Sequence, residues 1–166
     1  MGECFNALMV ASAIGDTETV KILLQRGMDP NAQSPYCYLG RAVTGEANLT
    51  ALMFAARVEI ARVLIQGGAD PDKITTDTDT ALHRAISEDR FDVALYLIEA
   101  GANVNHFDFC GNNIYLYRIQ RKLQFKPELK ANLTPIKSRL LAKGAHSFQY
   151  NEDLGSRANL PGKTLT

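Results

Sequence analysis

The sequence predicts an all-α repeat protein, a solenoid of paired antiparallel helices that are linked by hairpin-like fingers. Short apolar stretches with spacings of three and four residues, the period of a helix, occur in pairs along the chain. One helix-ending phrase occurs four times: LLQRGMDPN at 23–31, LIQGGADPD at 64–72, LIEAGANVN at 97–105 and LLAKGAH at 140–146. Two short helices cannot bury their apolar faces alone, so recurring pairs indicate a stack of repeats.

The segment from 80 to 105 shows one complete repeat most clearly. Leu82, Ala85 and Ile86 share one face of a first helix. The second helix has an apolar face with the same period, made of Phe91, Val93, Ala94, Leu97 and Ile98. Gly101 follows at the position where a left-handed residue often ends a helix. We therefore expect Leu97 to be buried between repeats three and four.

A helix-starting phrase recurs in step with the helix-ending one: NALMVAS at 6–12, TALMFAA at 50–56, TALHRAI at 80–86 and the degenerate NIYLYRI at 113–119. The last is preceded by DFCGN at 108–112. Together these segments resemble the ankyrin repeat, with its pattern D-x-x-G-x-T-P-L-H-x-A-A and a second helix ending in L-L-x-x-G-A-D-x-N. The resemblance covers roughly residues 5–146. It implies a repeat domain over 1–146, with repeats at about 1–33, 45–74, 75–107 and 108–146.

Residues 34–44 are an insertion in the finger between repeats one and two. Ala11 and its equivalent Ala55 are 44 residues apart, where a regular repeat has 33. Tyr36, Tyr38 and Arg41 in this insertion are residue types that are frequent at binding hot spots. Either these side chains contact a partner, or the longer loop is tolerated and its aromatic residues fold back onto the first helices.

Repeat two is three residues short at the corner between its helices. Thr50 and Thr80 are 30 residues apart, where a regular repeat has 33, and no glycine turn separates Ala56 from the second helix. Either the first helix is truncated, or the corner is rebuilt with Arg57 and Val58.

Repeat four has about ten additional residues between its helices, around 123–135. Thr134 followed by Pro135 resembles an N-cap with proline in the first turn, so we predict a second helix over about 135–143.

The formal net charge is zero, but the charges are unevenly distributed. Residues 1–117 carry 8 Lys/Arg and 15 Asp/Glu, whereas residues 118–143 carry 8 Lys/Arg and 1 Asp/Glu. The basic residues are Arg118, Arg121, Lys122, Lys126, Lys130, Lys137, Arg139 and Lys143. They are either the polar outer face that a terminal repeat needs for solubility, or a surface for nucleic acid or an acidic partner.

The remaining patterns argue against several functional classes. Cys4, Cys37 and Cys110 form neither a CxxC motif nor an even-numbered disulfide framework. An odd number of cysteines without a pattern is typical of a reducing compartment and predicts a cytoplasmic location. No apolar stretch approaches the ~20 residues that span a bilayer, and the apolar N-terminal segment lacks a basic region, so neither a membrane anchor nor a secretory signal is expected. His106, Asp108 and Cys110 alternate but lack a fourth metal ligand. Without a nucleophile, acid or base placed by the repeats, we predict no enzyme activity, cofactor or metal.

The resemblance implies a non-enzymatic module that binds another protein through the concave surface of its fingers and first helices. Its role would be that of an inhibitor, adaptor, antitoxin-like binder or effector, and the alternative is nucleic-acid or acidic-partner binding through 118–143. We expect a monomer on its own, with residues 147–166 disordered or packed on the last repeat. The implied partner-binding residues are Tyr36, Tyr38, Arg41, Glu46, Arg57, Asp77, Asp79, Glu88, Phe109, Asn112 and Arg121.

Overall fold

The computed structural model describes residues 5–35, 37–39, 42–44, 48–107 and 112–146, with backbone alone for 37–39 and 42–44. In these ranges the chain forms seven α-helices, two 3-10 turns and one two-stranded hairpin. The chain divides into two compact units, Met1–Asn103 and Val104–Thr166, which are described separately below.

Repeat one consists of α1 (Ala7–Ile14) and α2 (Thr17–Gln25). The side chain of Asn6 caps α1 by accepting a hydrogen bond from the Met9 amide at 2.9 Å. Asp16 caps α2 in the same way, accepting from the Thr19 amide at 3.0 Å. Gly15 joins the helices with a φ of 85°, a left-handed conformation that glycine adopts without strain.

The finger after repeat one is an antiparallel hairpin of β1 (Cys37–Leu39) and β2 (Ala42–Thr44). Its base is closed at Ser34, whose amide donates to the Leu49 carbonyl at 2.9 Å and whose carbonyl accepts from the Asn48 amide at 2.9 Å. The buried Ser34 hydroxyl also accepts a hydrogen bond from the Leu49 amide at 3.0 Å. Ser34, the first residue of the predicted insertion, therefore closes the base of the finger, and the first strand of the hairpin begins at Cys37.

Repeat two has a truncated first helix, a single 3-10 turn over Ala51–Phe54, followed by α3 (Val58–Gln66). Arg57 has an extended backbone and is the N-cap residue of α3. The first helix is thus truncated and the corner is rebuilt with Arg57 and Val58, so both predicted alternatives occur together. Three missing residues amount to about one helical turn, which is the part that the first helix lacks.

Repeat three consists of α4 (Ala81–Ser87) and α5 (Phe91–Glu99), with Gly101 at a φ of 93° after the second helix. Within the first unit, α1, the 3-10 turn and α4 pack in one layer of first helices, and α2, α3 and α5 pack in a second layer. The core between the layers contains fully buried leucine and isoleucine side chains: Leu8, Leu52, Ile60, Leu64, Leu82, Ile86, Leu97 and Ile98. The predicted burial of Leu97 is confirmed.

In the first three helix-ending phrases, the side chain of the last residue forms hydrogen bonds with the backbone of the following repeat. The Asn31 side chain donates to the Gly68 carbonyl at 2.8 Å and accepts from the Asp70 amide at 2.7 Å. At the equivalent position, the Asp72 carboxylate accepts from the Asn103 amide at 2.8 Å. Because a carboxylate has no donor, Asp72 can make only the second of these two bonds.

The second unit contains α6 (Ile114–Phe125), a 3-10 turn over Pro127–Leu129 and α7 (Lys130–Ala142). The prediction that this last helix starts at Pro135 is wrong. Pro127 stands at the start of the 3-10 turn that leads into α7, while the Thr134 hydroxyl donates to the Lys130 carbonyl at 2.7 Å inside the helix. The additional residues lengthen both helices, to 12 and 13 residues, where α4 and α5 have 7 and 9.

The core of the second unit lies between α6 and α7. Its fully buried side chains are Tyr115, Ile119, Leu133, Ile136 and Leu140. Buried Asn113 caps α6 and donates to the Val104 carbonyl at 2.8 Å. Asn105 makes the same pair of bonds as Asn31, donating to the Gly144 carbonyl at 3.0 Å and accepting from the His146 amide at 3.1 Å.

Candidate protein interface

The structure describes the side chains of six predicted partner-binding residues: Arg57, Asp77, Asp79, Glu88, Asn112 and Arg121. It describes Tyr38 by its backbone alone, in β1. The other four lie outside the described residues: Tyr36, Arg41, Glu46 and Phe109. The prediction for these eleven positions therefore remains a prediction, and only the described side chains can be assigned surroundings.

One exposed region of the first unit lies along its layer of first helices. We call it the first-helix surface, and it comprises Val10, Ile14, Arg57 and Glu88. Val10 and Ile14 are four residues apart on α1 and are 48% and 70% exposed. The guanidinium of Arg57 lies against Gly15, with Nε 3.3 Å from where a Cβ on that glycine would be. The exposed apolar side chain of Ile14 at the end of α1 is therefore followed directly by a glycine against which a cation lies.

Glu88 is held in place at the end of α4 by two arginines. Its carboxylate oxygens lie 3.0 Å from Arg84 Nη2 and 3.1 Å from Arg90 Nη2, and its side chain is 48% exposed. The Arg84 guanidinium in turn lies over the Phe54 ring at 5.9 Å, and Phe54 contacts Phe5 edge to face at 5.4 Å. Glu88 thus presents a positioned carboxylate to solvent.

Arg90 replaces hydrogen bonds that the truncated helix of repeat two cannot make. Its Nη1 donates to the Ala55 carbonyl at 2.6 Å and its Nη2 to the Met53 carbonyl at 2.8 Å. Burial lowers the pKa of the Arg90 guanidinium, and the Glu88 charge opposes this effect. The group remains charged at ordinary pH because arginine is not deprotonated in proteins. The sequence shows the gap in repeat two but carries no signal for which residue fills it.

The finger before α4 carries Asp77 and Asp79 in different surroundings. The Thr75 hydroxyl accepts from the amides of both, at 3.2 Å and 3.1 Å, which fixes the turn. The Asp79 carboxylate contacts Nδ1 of buried His83 and is 20% exposed, whereas Asp77 is exposed. Asp79 therefore has a structural contact within its own repeat, as does His83, and Asp77 is the carboxylate that faces solvent.

In the second unit, Arg121 lies on the exposed side of α6, and Asn112 is half-buried next to the N-cap of that helix. Arg121 contacts the rings of Tyr117 and Phe125, which sequence reasoning did not single out. Their positions, four residues before and after Arg121, were a readable signal that the three share a face.

Among the residues that the structure describes, no helix combines the length and apolar character needed to cross a bilayer. Across the same residues, His, Cys, Asp and Glu side chains do not gather in groups of three that could hold a metal ion. The exposed surfaces carry apolar side chains, aromatic rings and positioned charges, which are groups suited to non-covalent binding.

Comparison with known proteins gives one family match and several relatives that align with part of the chain. A family model described as "Ankyrin repeats (3 copies)" matches residues 8–108. The chain is 31% identical over 93 residues to putative ankyrin repeat protein FPV014 of fowlpox virus, covering 55% of this chain and 19% of that protein. It is 38% identical over 96 residues to human SH3 and multiple ankyrin repeat domains protein 2, covering 57% and 5%.

A relative of similar length is cyclin-dependent kinase 4 inhibitor B of the rat, which is 31% identical over 105 residues. The match covers 63% of this chain and 74% of the rat protein. The chain thus spans only 19% and 5% of the first two relatives, but about three quarters of the third.

Proposed function

Because this chain belongs to the ankyrin repeat family, we propose that it is a non-enzymatic module that binds another protein through its first-helix surface. Ankyrin repeats generally mediate interactions between proteins, which supports the class of function. The observation that supports the surface is the exposure of two apolar side chains on α1, Val10 at 48% and Ile14 at 70%, with the Arg57 guanidinium against the adjacent Gly15. Arginine is among the residue types that are enriched at binding hot spots, and exposed apolar side chains supply area that is buried when a partner binds.

The surroundings of this surface favour binding without rearrangement. Arg57 is at the N-cap of α3 and lies against Gly15, and Glu88 is held by Arg84 and Arg90. Side chains that are already positioned lose less conformational entropy when a partner binds. The surface offers one apolar contact, one cation and one carboxylate, so the partner we propose has an apolar patch flanked by both signs of charge.

The test compares two matched double variants in a quantitative pull-down from native lysate with mass spectrometry. Ile14→Ser with Arg57→Ala alters the first-helix surface, and Ile22→Ser with Arg26→Ala makes the same changes on α2, where Ile22 is 45% exposed. We expect a partner that the parent and the α2 variant retain and that the first-helix variant binds at least about thirtyfold more weakly. A partner lost equally from both variants, or from neither, would contradict the proposed surface.

An inhibitor role is a second proposal, supported by the rat relative named as an inhibitor of cyclin-dependent kinase 4, three quarters of whose length this chain spans. Purified cyclin-dependent kinase 4 is the first partner to assay, by titration calorimetry and by phosphorylation of a substrate. Saturable inhibition that the first-helix variant abolishes would support the inhibitor role. Absence of binding at micromolar concentrations would leave the adaptor, antitoxin-like and effector roles.

A further inference from the structure

The exposed side of α6 carries two rows of side chains at a spacing of four residues, which places each row along one line of the helix. The aromatic row consists of Tyr117, Arg121 and Phe125, and the basic row consists of Arg118, Lys122 and Lys126. Tyr115 and Ile119 are buried in the core of the second unit, and the aromatic row lies on the side of the helix away from them. Arg118 and Lys122, each three residues after one of these core residues, are half-buried, so the basic row lies between the aromatic row and the core.

Arg121 is held between the two rings of the aromatic row. Its guanidinium carbon lies 5.8 Å from the Tyr117 ring centroid and 5.3 Å from that of Phe125. Its Nη1 donates to the Tyr117 hydroxyl at 3.1 Å. Because this bond uses one of five N–H donors, the guanidinium retains donors for a ligand while its position is fixed by the rings.

The rings themselves remain open to solvent, since Tyr117 is 45% and Phe125 is 69% exposed. Together the two rows line a shallow depression of about 450 Å³. The aromatic row extends ~12 Å along the helix, at 1.5 Å per residue. This length corresponds to about four residues of an extended peptide.

We propose that this depression is a second binding site, separate from the first-helix surface, and that it takes a short acidic segment of another protein. The charges support this ligand, because residues 118–143 carry 8 Lys/Arg and 1 Asp/Glu. A carboxylate of this segment can accept two parallel hydrogen bonds from the positioned guanidinium of Arg121, and neighbouring acidic side chains of the segment face the basic row. An apolar side chain of the same segment packs on the exposed Phe125 ring.

Nucleic acid fits this surface less well than an acidic peptide does. Single-stranded nucleic acid binds in basic grooves that track its backbone over about 4–16 nucleotides, whereas this depression extends only ~12 Å along α6. In addition, the pI of the chain is about 6.8, whereas nucleic-acid-binding domains typically have a pI above about 9.

The experiment selects short random peptides displayed on phage against the full-length chain, and then measures the enriched peptides by fluorescence anisotropy. We expect the enriched sequences to combine several acidic residues with a large apolar one. Arg121→Gln should weaken binding at least about tenfold and Phe125→Ser about fivefold, because both remove a central contact. Lys137→Gln removes the same charge from an exposed position on α7 outside the depression, and should change the affinity less than about twofold. The melting temperature should be unchanged in all three variants.

Three results would overturn the proposal. One is a selection that enriches no acidic sequences. Another is equal weakening by Arg121→Gln and Lys137→Gln, which would mean that binding reflects net charge alone. The third is an oligothymidylate that binds more tightly than any selected peptide and loses affinity in Arg121→Gln, which would make the depression a nucleic-acid site. The Ile14→Ser, Arg57→Ala variant should retain the peptides, and this separates the site from the first-helix surface.

Discussion

Arg90 is the side chain on which the shortened repeat most directly depends. The last carbonyls of a helix have no partner within the helix and must find one elsewhere. In repeat two these carbonyls belong to Met53 and Ala55, which are buried, and Arg90 donates to both. A charged donor from repeat three thus completes the backbone of repeat two.

Replacing Arg90 should therefore destabilise the protein strongly. Arg90→Met keeps most of the side-chain volume but leaves two buried carbonyls without this donor, and we expect a loss of about 2–4 kcal/mol in the free energy of unfolding. Urea denaturation at neutral pH measures it. Arg90→Lys should recover only part of the loss, because one ammonium group does not reproduce the fork. Arg26→Met, at the exposed end of α2, is the control; an equally small effect of both methionine variants would refute the role of Arg90.

The first three helix-ending phrases each end in an asparagine or an aspartate, and these positions allow a prediction of increased stability. Asn31 and Asn105 each make two bonds to the next repeat, whereas Asp72 makes one. Asp72→Asn adds the missing donor and should stabilise the protein by about 0.5–1.5 kcal/mol, the usual net value of one hydrogen bond.

The controls for this change separate the hydrogen bond from the charge. Asn31→Asp should lower the free energy of unfolding by a similar amount, and Asp77→Asn, which removes an exposed acid of the same finger, should leave it nearly unchanged. If Asp72→Asn and Asp77→Asn have equal effects in urea denaturation, the gain comes from reduced negative charge.

Among the elements, the hairpin of β1 and β2 has a clearly defined base. Ser34 pairs with Asn48 and Leu49 through its backbone and its hydroxyl, and it is buried. Removing all of 34–44 would therefore delete the residue that closes the finger. The separable part of the insertion is the segment beyond Ser34.

Deleting residues 37–45 tests this division of the finger. It leaves Pro35, Tyr36, Glu46 and Ala47 as a four-residue connection between Ser34 and Asn48. The melting temperature should change little, since loop length contributes only logarithmically to closure entropy. Ser34→Ala in the full-length chain should instead cost about 1–3 kcal/mol, because it leaves the Leu49 amide without its side-chain acceptor. Thermal melts followed by circular dichroism compare the two, and a deletion more damaging than Ser34→Ala would place the hairpin within the core.

At the scale of the whole molecule, sequence reasoning predicted the fold where local signals agreed. The ankyrin-type all-α repeat fold is confirmed by the family match over residues 8–108. The prediction failed for α7, where Thr134 and Pro135 suggested a start. Starting earlier buries Leu133 on the same face as Ile136 and Leu140, and this tertiary gain outweighs the proline signal.

The candidate surfaces were less predictable than the fold. Arg57, Glu88 and Arg121 were predicted as contacts because the family pattern places its contacts near the ends of first helices, and they remain predictions. The exposure of Ile14 depends on which side of α1 the neighbouring turn covers, and a single sequence does not state this. The contact of Arg90 with repeat two joins residues 35 and 37 positions apart, beyond the reach of any local pattern.

The cysteines give a prediction for the molecule as a whole. Cys4 and Cys110 lie outside the described residues, and Cys37 is described by its backbone alone. Their spacing predicts no disulfide, so urea denaturation with and without reductant should give the same midpoint. A midpoint that falls on reduction would reveal a bridge and would contradict the proposed cytoplasmic location.

The bond between Arg90 and repeat two also has a consequence for biosynthesis. A chain leaves the ribosome from its N-terminus, and a multi-helix chain begins to fold as it emerges. Repeat one brings its own caps, but the carbonyl of Ala55 receives its charged donor only from a residue 35 positions later in the chain. Repeat two therefore stays incomplete through the synthesis of the first half of repeat three. A nascent chain stalled before residue 90 should expose this stretch to chaperones and proteases, and one stalled after α5 has emerged should be protected.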